Sequence, residues 1–199
     1  MKTVRIKIYS IGELSREAQE KAWQDWIAEA DYPWATDNRA SLNEFCERFC
    51  IGSPSFSYGG ENSHIATARL SSNQYSDDVQ NLRGLRLRVW IINNFWHYIE
   101  KPKYIRHVKG KARYSKIQKE ICCPFTGYCR DDDLLDPLIE FVNKPNNNDS
   151  IQDILSACLT SWLTSCQKDS ESYFSFENFK DFADSNEYEF KNDGTFYRG

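Results

Sequence analysis

Along the chain the apolar positions change period at a few points, and those points mark the elements. Val4, Ile6 and Ile8 alternate with Arg5, Lys7 and Tyr9, which predicts a half-buried strand over residues 3–9. Leu14-Ser15 then reads as a hydrophobic staple followed by a helix cap, with Glu17 in the first turn where the helix dipole favours an acid. Ala18, Ala22, Trp23, Trp26, Ile27 and Ala30 recur every three to four residues, so residues 16–30 are expected to form an amphipathic helix. Its tryptophans most simply pack into the core; the sharper alternative sets both on a ligand-binding face. Asp31-Tyr32-Pro33 breaks the pattern, and Thr36 is the expected cap of a second helix. Leu42, Phe45, Cys46, Phe49 and Cys50 mark the buried side of that helix.

Residues 52–60 are rich in Gly, Ser and Pro, with a short strand at 55–58, and residues 64–71 read as another strand. A polar turn at 73–78 leads into a long helix over 79–100, apolar around most of its circumference and therefore expected to be central. Arg83, Arg86 and Arg88 sit near its start, where the dipole disfavours cations, which assigns them to partners or salt links. Between Cys122 and Phe141 a tight Pro124–Gly127 turn precedes a helix beginning near Asp132, with the aspartates as its cap and first turn and Pro137 early enough to be tolerated. Ser150 and Asp153 form a capping box for a helix burying Ile151, Ile154, Leu155, Cys158, Leu159, Trp162 and Cys166. Ser175 caps one more helix, and Asp193-Gly194 is a hairpin turn between 187–190 and 195–197.

The pattern as a whole predicts one compact α+β domain over residues 1–199. In it the N-terminal strand and C-terminal hairpin form a small antiparallel sheet, packed with about five to six helices. With 12 Phe, 11 Tyr and 6 Trp, core and contact surfaces are both ring-rich. The start M-K-T-V-R-I-K-I-Y-S is too charged for a secretory leader, no apolar run reaches bilayer length, and the seven cysteines are odd in number. Reduced thiols in a cytoplasm are the corresponding expectation.

The net charge of −4 hides a division: residues 1–130 carry 20 Lys/Arg against 14 Asp/Glu, and residues 131–199 carry 5 against 15. Lys101, Lys103, Arg106, Lys109, Lys111, Arg113, Lys116 and Lys119 form one basic run, interleaved with Tyr104, His107 and Tyr114. Cations with rings suit single-stranded nucleic acid. They suit equally a protruding hairpin at 101–119 that docks on an acidic protein, or a solvated loop. Asp131, Asp132, Asp133 and Asp136 are the acidic counterpart.

No catalytic or metal signature is present. Cys46 and Cys50 stand at i,i+4, as a helical metal pair would, but no second Cys or His pair accompanies them. Cys122 to Cys129 is too wide for a zinc knuckle, and three consecutive aspartates lack the alternation of a calcium loop. No cofactor is expected. A cysteine nucleophile paired with His64, His97 or His107 stays open, because such partners meet only in space.

At S-R-E-A-Q-E-K-A-W, C-P-F-T-G-Y-C-R-D-D-D-L-L-D-P and N-E-Y-E-F-K-N-D-G-T-F-Y the chain resembles a group of small proteins encoded by bacteriophages, prophages and plasmids. The resemblance covers both ends and the 122–137 block and weakens over 52–120. It implies a mobile-element protein in a bacterial cytoplasm and carries no catalytic residues. In that setting the expected role is an anti-defence inhibitor, not an enzyme. It would bind a CRISPR or restriction effector directly, with acidic residues 131–136, 149–153 and 181–189 covering a basic nucleic-acid groove. The alternative is a nucleic-acid-binding accessory protein that uses the 101–119 run.

Overall fold

The computed structural model describes residues 6–59, 63–99, 103–105, 114–116 and 123–198. In chain order the elements are a 3-10 turn (Ile11–Glu13), α1 (Arg16–Glu29), α2 (Ala35–Arg48), β1 (Ile51–Gly52), β2 (Phe56–Ser57), β3 (His64–Ile65), β4 (Arg69–Leu70), α3 (Asp77–Gln80), α4 (Gly84–Ile99), β5 (Lys103–Ile105), β6 (Tyr114–Lys116), α5 (Arg130–Asn143), α6 (Ile151–Tyr173) and α7 (Phe176–Ser185). The class is α+β: among the described residues, seven helices with short antiparallel strand pairs, β1 with β4, β2 with β3, and β5 with β6. Packing separates two compact units, 34–167 and 1–33 with 168–199.

The 34–167 unit holds the larger core. Leu42, Phe45, Phe49, Leu87, Ile91, Leu134, Leu138, Leu155, Leu159 and Trp162 are all at most 1% exposed. α5 lies against both α2 and α4. The stripe Cys158, Trp162 and Cys166 is fully buried, as its spacing of four implies. The Ser150–Asp153 box is also as expected: the Ser150 amide donates to Asp153 Oδ2 at 2.8 Å, and the Asp153 amide donates to Ser150 Oγ at 3.1 Å.

The helix expected over 79–100 is broken. α3 ends at Gln80, and the Arg83 guanidinium donates to the carbonyls of Gln80 at 2.6 Å and Leu82 at 2.7 Å. Gly84 then enters α4 with φ of +54°, and a Cβ there would lie 2.0 Å from Asn147 Oδ1. A loop distant in sequence therefore lies close against the first residue of α4. Arg88 also has a helix-end role: its Nε donates at 2.7 Å to the Val142 carbonyl in the last turn of α5, where the dipole favours a cation.

Three further expectations change in this unit. α2 begins at Ala35 behind Trp34, so Thr36 lies inside the helix and is not its cap. Cys50 falls beyond the end of α2 with φ of +49° and is exposed, so it does not share the buried face of Cys46. α5 starts at Arg130, which sets Pro137 deeper than the first turns and removes its hydrogen bond to the Asp133 carbonyl.

The other unit is smaller and aromatic. Ile11, Leu14, Ala18, Ala22, Phe179, Ala183 and Phe190 are its buried apolar residues, with Trp23, Trp26, Phe176 and Tyr188 packed around them. Ser15 caps α1 through the Ala18 amide at 3.3 Å, and Ser175 caps α7 through the Asn178 amide at 3.2 Å. The N-terminal strand and C-terminal hairpin are reduced to single bridges. Tyr9 and Phe190 exchange both backbone hydrogen bonds at 2.9 Å, and Phe190 bridges Phe196 in turn. Residues 3–5 of the expected strand lie outside the described residues. The Asp193-Gly194 turn forms as its residues require: Gly194 has φ of +83°, and the Thr195 amide donates to Asp193 Oδ1 at 3.0 Å.

Candidate functional site

Two constellations concentrate the polar chemistry, one in each unit. The first is the turn before α5. Gly127, with φ of +83°, lets the chain fold back so that successive amides point one way. The fully buried Asp131 carboxylate fills that concavity. Its Oδ2 accepts from the amides of Phe125 at 2.9 Å, Thr126 at 2.7 Å and Gly127 at 3.2 Å, and its Oδ1 accepts from the Thr126 hydroxyl at 3.0 Å. Asp132 accepts from the Cys123 amide at 3.0 Å, and Asp133 pairs with Arg130 at 2.7 Å.

Behind the turn runs a buried polar chain. Arg130 Nε donates at 3.3 Å to Asn38 Oδ1, Asn38 Nδ2 donates at 3.1 Å to the Tyr58 hydroxyl, and the Trp162 indole donates at 3.1 Å to the Asn38 carbonyl. Burial raises the Tyr58 phenol above its ordinary value of 10.0, opposed by the Asn38 hydrogen bond. Ser41 Oγ lies 3.0 Å from Thr126 Oγ1. On the outer side Arg48 stacks over Phe125 and Tyr98, 5.5 and 5.2 Å from the ring centroids. In this constellation the polar atoms satisfy one another, and its chemistry is that of a clamp holding a turn against α2.

Thus Asp131, Asp132 and Asp133, read as part of an acidic surface, have internal partners: Asp131 is buried, and Asp132 and Asp133 are half-buried; Asp136 is exposed. Asp149 accepts from Asn146 at 2.6 Å and Asp153 belongs to the α6 cap. Of the basic run, Lys103 and Lys116 occupy opposite positions in the β5–β6 pair. Lys101, Arg106, Lys109, Lys111, Arg113 and Lys119 lie outside the described residues.

The second constellation is a groove in the 1–33 and 168–199 unit, about 540 Å³ in volume. That is within the roughly 300–1,000 Å³ typical of ligand sites. Trp26 of α1, Phe179 of α7 and Tyr188, Phe190 and Phe196 from the C-terminal segment line it. The small residues Ala18 and Ala22 let the hairpin approach α1 closely, and a Cβ on Gly194 would sit 2.1 Å from the Ala18 carbonyl oxygen. Asp25 and Glu29 stand on one wall, one helical turn apart.

Opposite charges border the same groove. Lys21 lies 3.7 Å from Asp25 and donates to Thr195 Oγ1 at 2.8 Å. Arg198 pairs with Glu29 at 3.0 Å while its guanidinium lies 5.8 Å from the Phe196 centroid. A second depression of about 370 Å³ shares Tyr188 and is bordered by Glu13, Asp184, Glu187 and Glu189. Residues 6–33 and 168–198 carry 7 Lys/Arg against 14 Asp/Glu, and every one of those acids except Asp169 is exposed.

The acidic stretch 181–189 and the tryptophans of α1 are each visible in the sequence, but only the fold brings them near one another. The structure separates the two tryptophans. Trp23 is tied to the Phe174 carbonyl at 2.9 Å, and Trp26 lines the groove. The alternation of Tyr188 and Phe190 with Glu187 and Glu189 was the available signal.

Among the described residues, no three His, Cys, Asp or Glu side chains come together as a metal-binding group, and no helix is long and apolar enough to cross a membrane. No family model, curated protein or solved structure matches the chain.

Proposed function

We propose that the protein works by binding another macromolecule, without catalysis, and that it is a mobile-element anti-defence protein which inhibits a bacterial immune effector such as a CRISPR or restriction complex. The supporting observation is the acidic aromatic groove: exposed carboxylates beside the accessible rings of Trp26, Tyr188 and Phe196, the combination that suits a basic protein surface. A carboxylate-rich face of this kind can cover the cationic groove through which a nuclease admits its nucleic acid. The likeness of the 122–137 block to proteins of phages and plasmids supplies the setting and the cytoplasmic location.

The test is affinity capture from nuclease-treated bacterial lysate with the intact protein and with Asp181→Lys/Asp184→Lys/Glu187→Lys, three exposed positions. A captured defence protein, inhibited by the intact protein and released by the charge reversal, is the expected result. Capture and inhibition unaffected by the reversal would remove this reading.

A second reading, a nucleic-acid-binding accessory protein, draws on the β5–β6 register, which puts the Lys103 and Lys116 positions opposite each other within the basic run. That reading expects affinity for single-stranded nucleic acid that falls steeply with salt.

A further inference from the structure

We infer that the groove lined by Trp26 and Phe196 is a receptor for an arginine side chain of a protein partner, and that Arg198 is its internal, displaceable occupant. The inference rests on the reading of this face as the binding face and names the chemistry it recognises.

The Arg198 guanidinium satisfies the two demands of a cation site at once: a carboxylate, Glu29, at 3.0 Å, and an aromatic face, Phe196, at 5.8 Å. Cation–π attraction operates within roughly 6 Å of a ring centroid, and the planar guanidinium combines stacking with forked hydrogen bonding to carboxylate as an ammonium cannot. The groove thus already shows, with a residue of its own chain, the ligand type it accommodates.

The internal contact is also weakly held. The Arg198 and Glu29 side chains are 74% and 75% exposed, and exposed ion pairs contribute little because water and salt compete with them. Arg198 reaches only the rim. Beyond it the half-buried Trp26 and Tyr188 continue the aromatic lining over the buried Phe179 and Phe190, and Asp25 offers a second carboxylate one turn from Glu29. A partner arginine entering across this wall meets the half-buried rings of Trp26 and Tyr188 as well as Phe196. It also gains a carboxylate that Arg198 does not pair with and that Lys21 neutralises only at 3.7 Å. A lysine meets the same charges without the stacking, and a neutral urea group meets the rings without the charge.

The probe is N-acetylarginine amide, titrated into the ¹⁵N-labelled full chain while the Gly194 and Thr195 amides and the Trp26 indole are followed. N-acetylcitrulline amide and N-acetyllysine amide are the controls. Shifts confined to the groove with the arginine probe, weaker with lysine and absent with citrulline, are expected. Arg198→Ala should tighten binding about two- to fivefold by removing the competitor, and Glu29→Gln in that background should weaken it. Arg198→Lys, which keeps a charge at the rim, should fall between wild type and alanine.

Equal shifts with citrulline, or no groove shifts in Arg198→Ala with its fold intact by circular dichroism, would overturn the inference. If Arg198→Ala does not fold, the same comparison is decided on Arg198→Lys. No partner is needed for the titration. Its failure is therefore distinct from failure of the capture experiment, which bears on the anti-defence reading.

Discussion

The Asp131 carboxylate lies 2.7 Å from the Thr126 amide and fills a concavity of three consecutive backbone N–H groups, those of Phe125, Thr126 and Gly127. An anion-binding turn is here occupied by the protein's own side chain. The arrangement reverses the usual relation of an acid to a helix start, because Asp131 stabilises the preceding turn and not the amides of its own helix.

Asp131→Ala should therefore be among the most damaging single changes in the 34–167 unit. It strips the acceptor from three amides and a hydroxyl, and a buried donor left unpaired costs on the order of 1–3 kcal/mol, less here at the exposed Thr126 and Gly127. Water entering the vacated space offsets part of that, leaving an expected loss of about 3 kcal/mol or more. Asp131→Asn keeps one oxygen for the amides and loses the charge, at about 1–2 kcal/mol, since bonds to charged groups are roughly twice as strong as neutral ones. Urea denaturation of the two variants checks the order; an alanine variant as stable as the asparagine one would contradict it.

The thiols divide by burial. Desolvation pushes Cys46 up to about 11 and Cys158 up to about 12, and Cys166 is also fully buried, whereas Cys50 and Cys129 are exposed. A disulfide reagent at pH 8 should modify Cys50 and Cys129 rapidly and reach Cys46, Cys158 and Cys166 only through unfolding. Cys50→Ser/Cys129→Ser should remove two equivalents from the fast phase, as read by mass spectrometry of labelled peptides. The raised values also have a sign in stability. Above about pH 9 the unfolded chain ionises these thiols while the folded chain keeps them protonated, so stability falls progressively toward pH 11–12.

What could be read from residues alone was local. Ser15, Ser150 and Ser175 cap because each carries its acceptor within three residues of the amide it meets, and Asp193-Gly194 turns on its own conformational preference. What could not be read depended on distant approach. Gly84, where α4 begins, packs against Asn147, more than sixty residues away. The position of Cys50 depends on where α2 stops, a matter of the β1–β4 pairing that follows. The groove unites α1 with the last residues of the chain, and no periodicity within either segment reports the other. The four aspartates were legible as a group near a helix start. Which of them turns inward was not, because that is decided by the 125–127 backbone.

Gly194 tests the closeness of that approach. Its φ of +83° disfavours any side chain, and a Cβ would meet the Ala18 carbonyl oxygen at 2.1 Å, a backbone atom that cannot swing aside. Gly194→Ala should cost roughly 1–2 kcal/mol from the left-handed conformation and more from the displaced helix, on the order of 3 kcal/mol together. Ala18 is itself buried against this turn, so relief by Ala18→Gly is not expected: the obstructing atom is the carbonyl and not the methyl group. Thermal unfolding of the single and double variants checks both statements, and rescue by Ala18→Gly would show the contact to be with the side chain.

The start of α6 supplies an acid-side prediction. The Asp153 carboxyl is held below its ordinary value of 3.8 first by the Ser150 hydroxyl and then by the Ser150 amide. A depressed value means that its contribution is present above the ordinary carboxylate range and is lost as pH falls through the folded value. Asp153 is exposed, so solvent screening keeps that contribution small, and the cap as a whole is worth about 1 kcal/mol. Asp153→Asn retains the Asp153 amide bond to Ser150 Oγ and loses the charged acceptor. At pH 7 it should be less stable than wild type by a few tenths to about 1 kcal/mol. Between pH 4 and pH 2 the gap should close, because the wild-type carboxyl becomes protonated and the two side chains then differ little. Denaturation midpoints measured at pH 7, 4 and 2.5 decide the matter. A gap that stayed constant across that range would assign the loss to shape and not to charge.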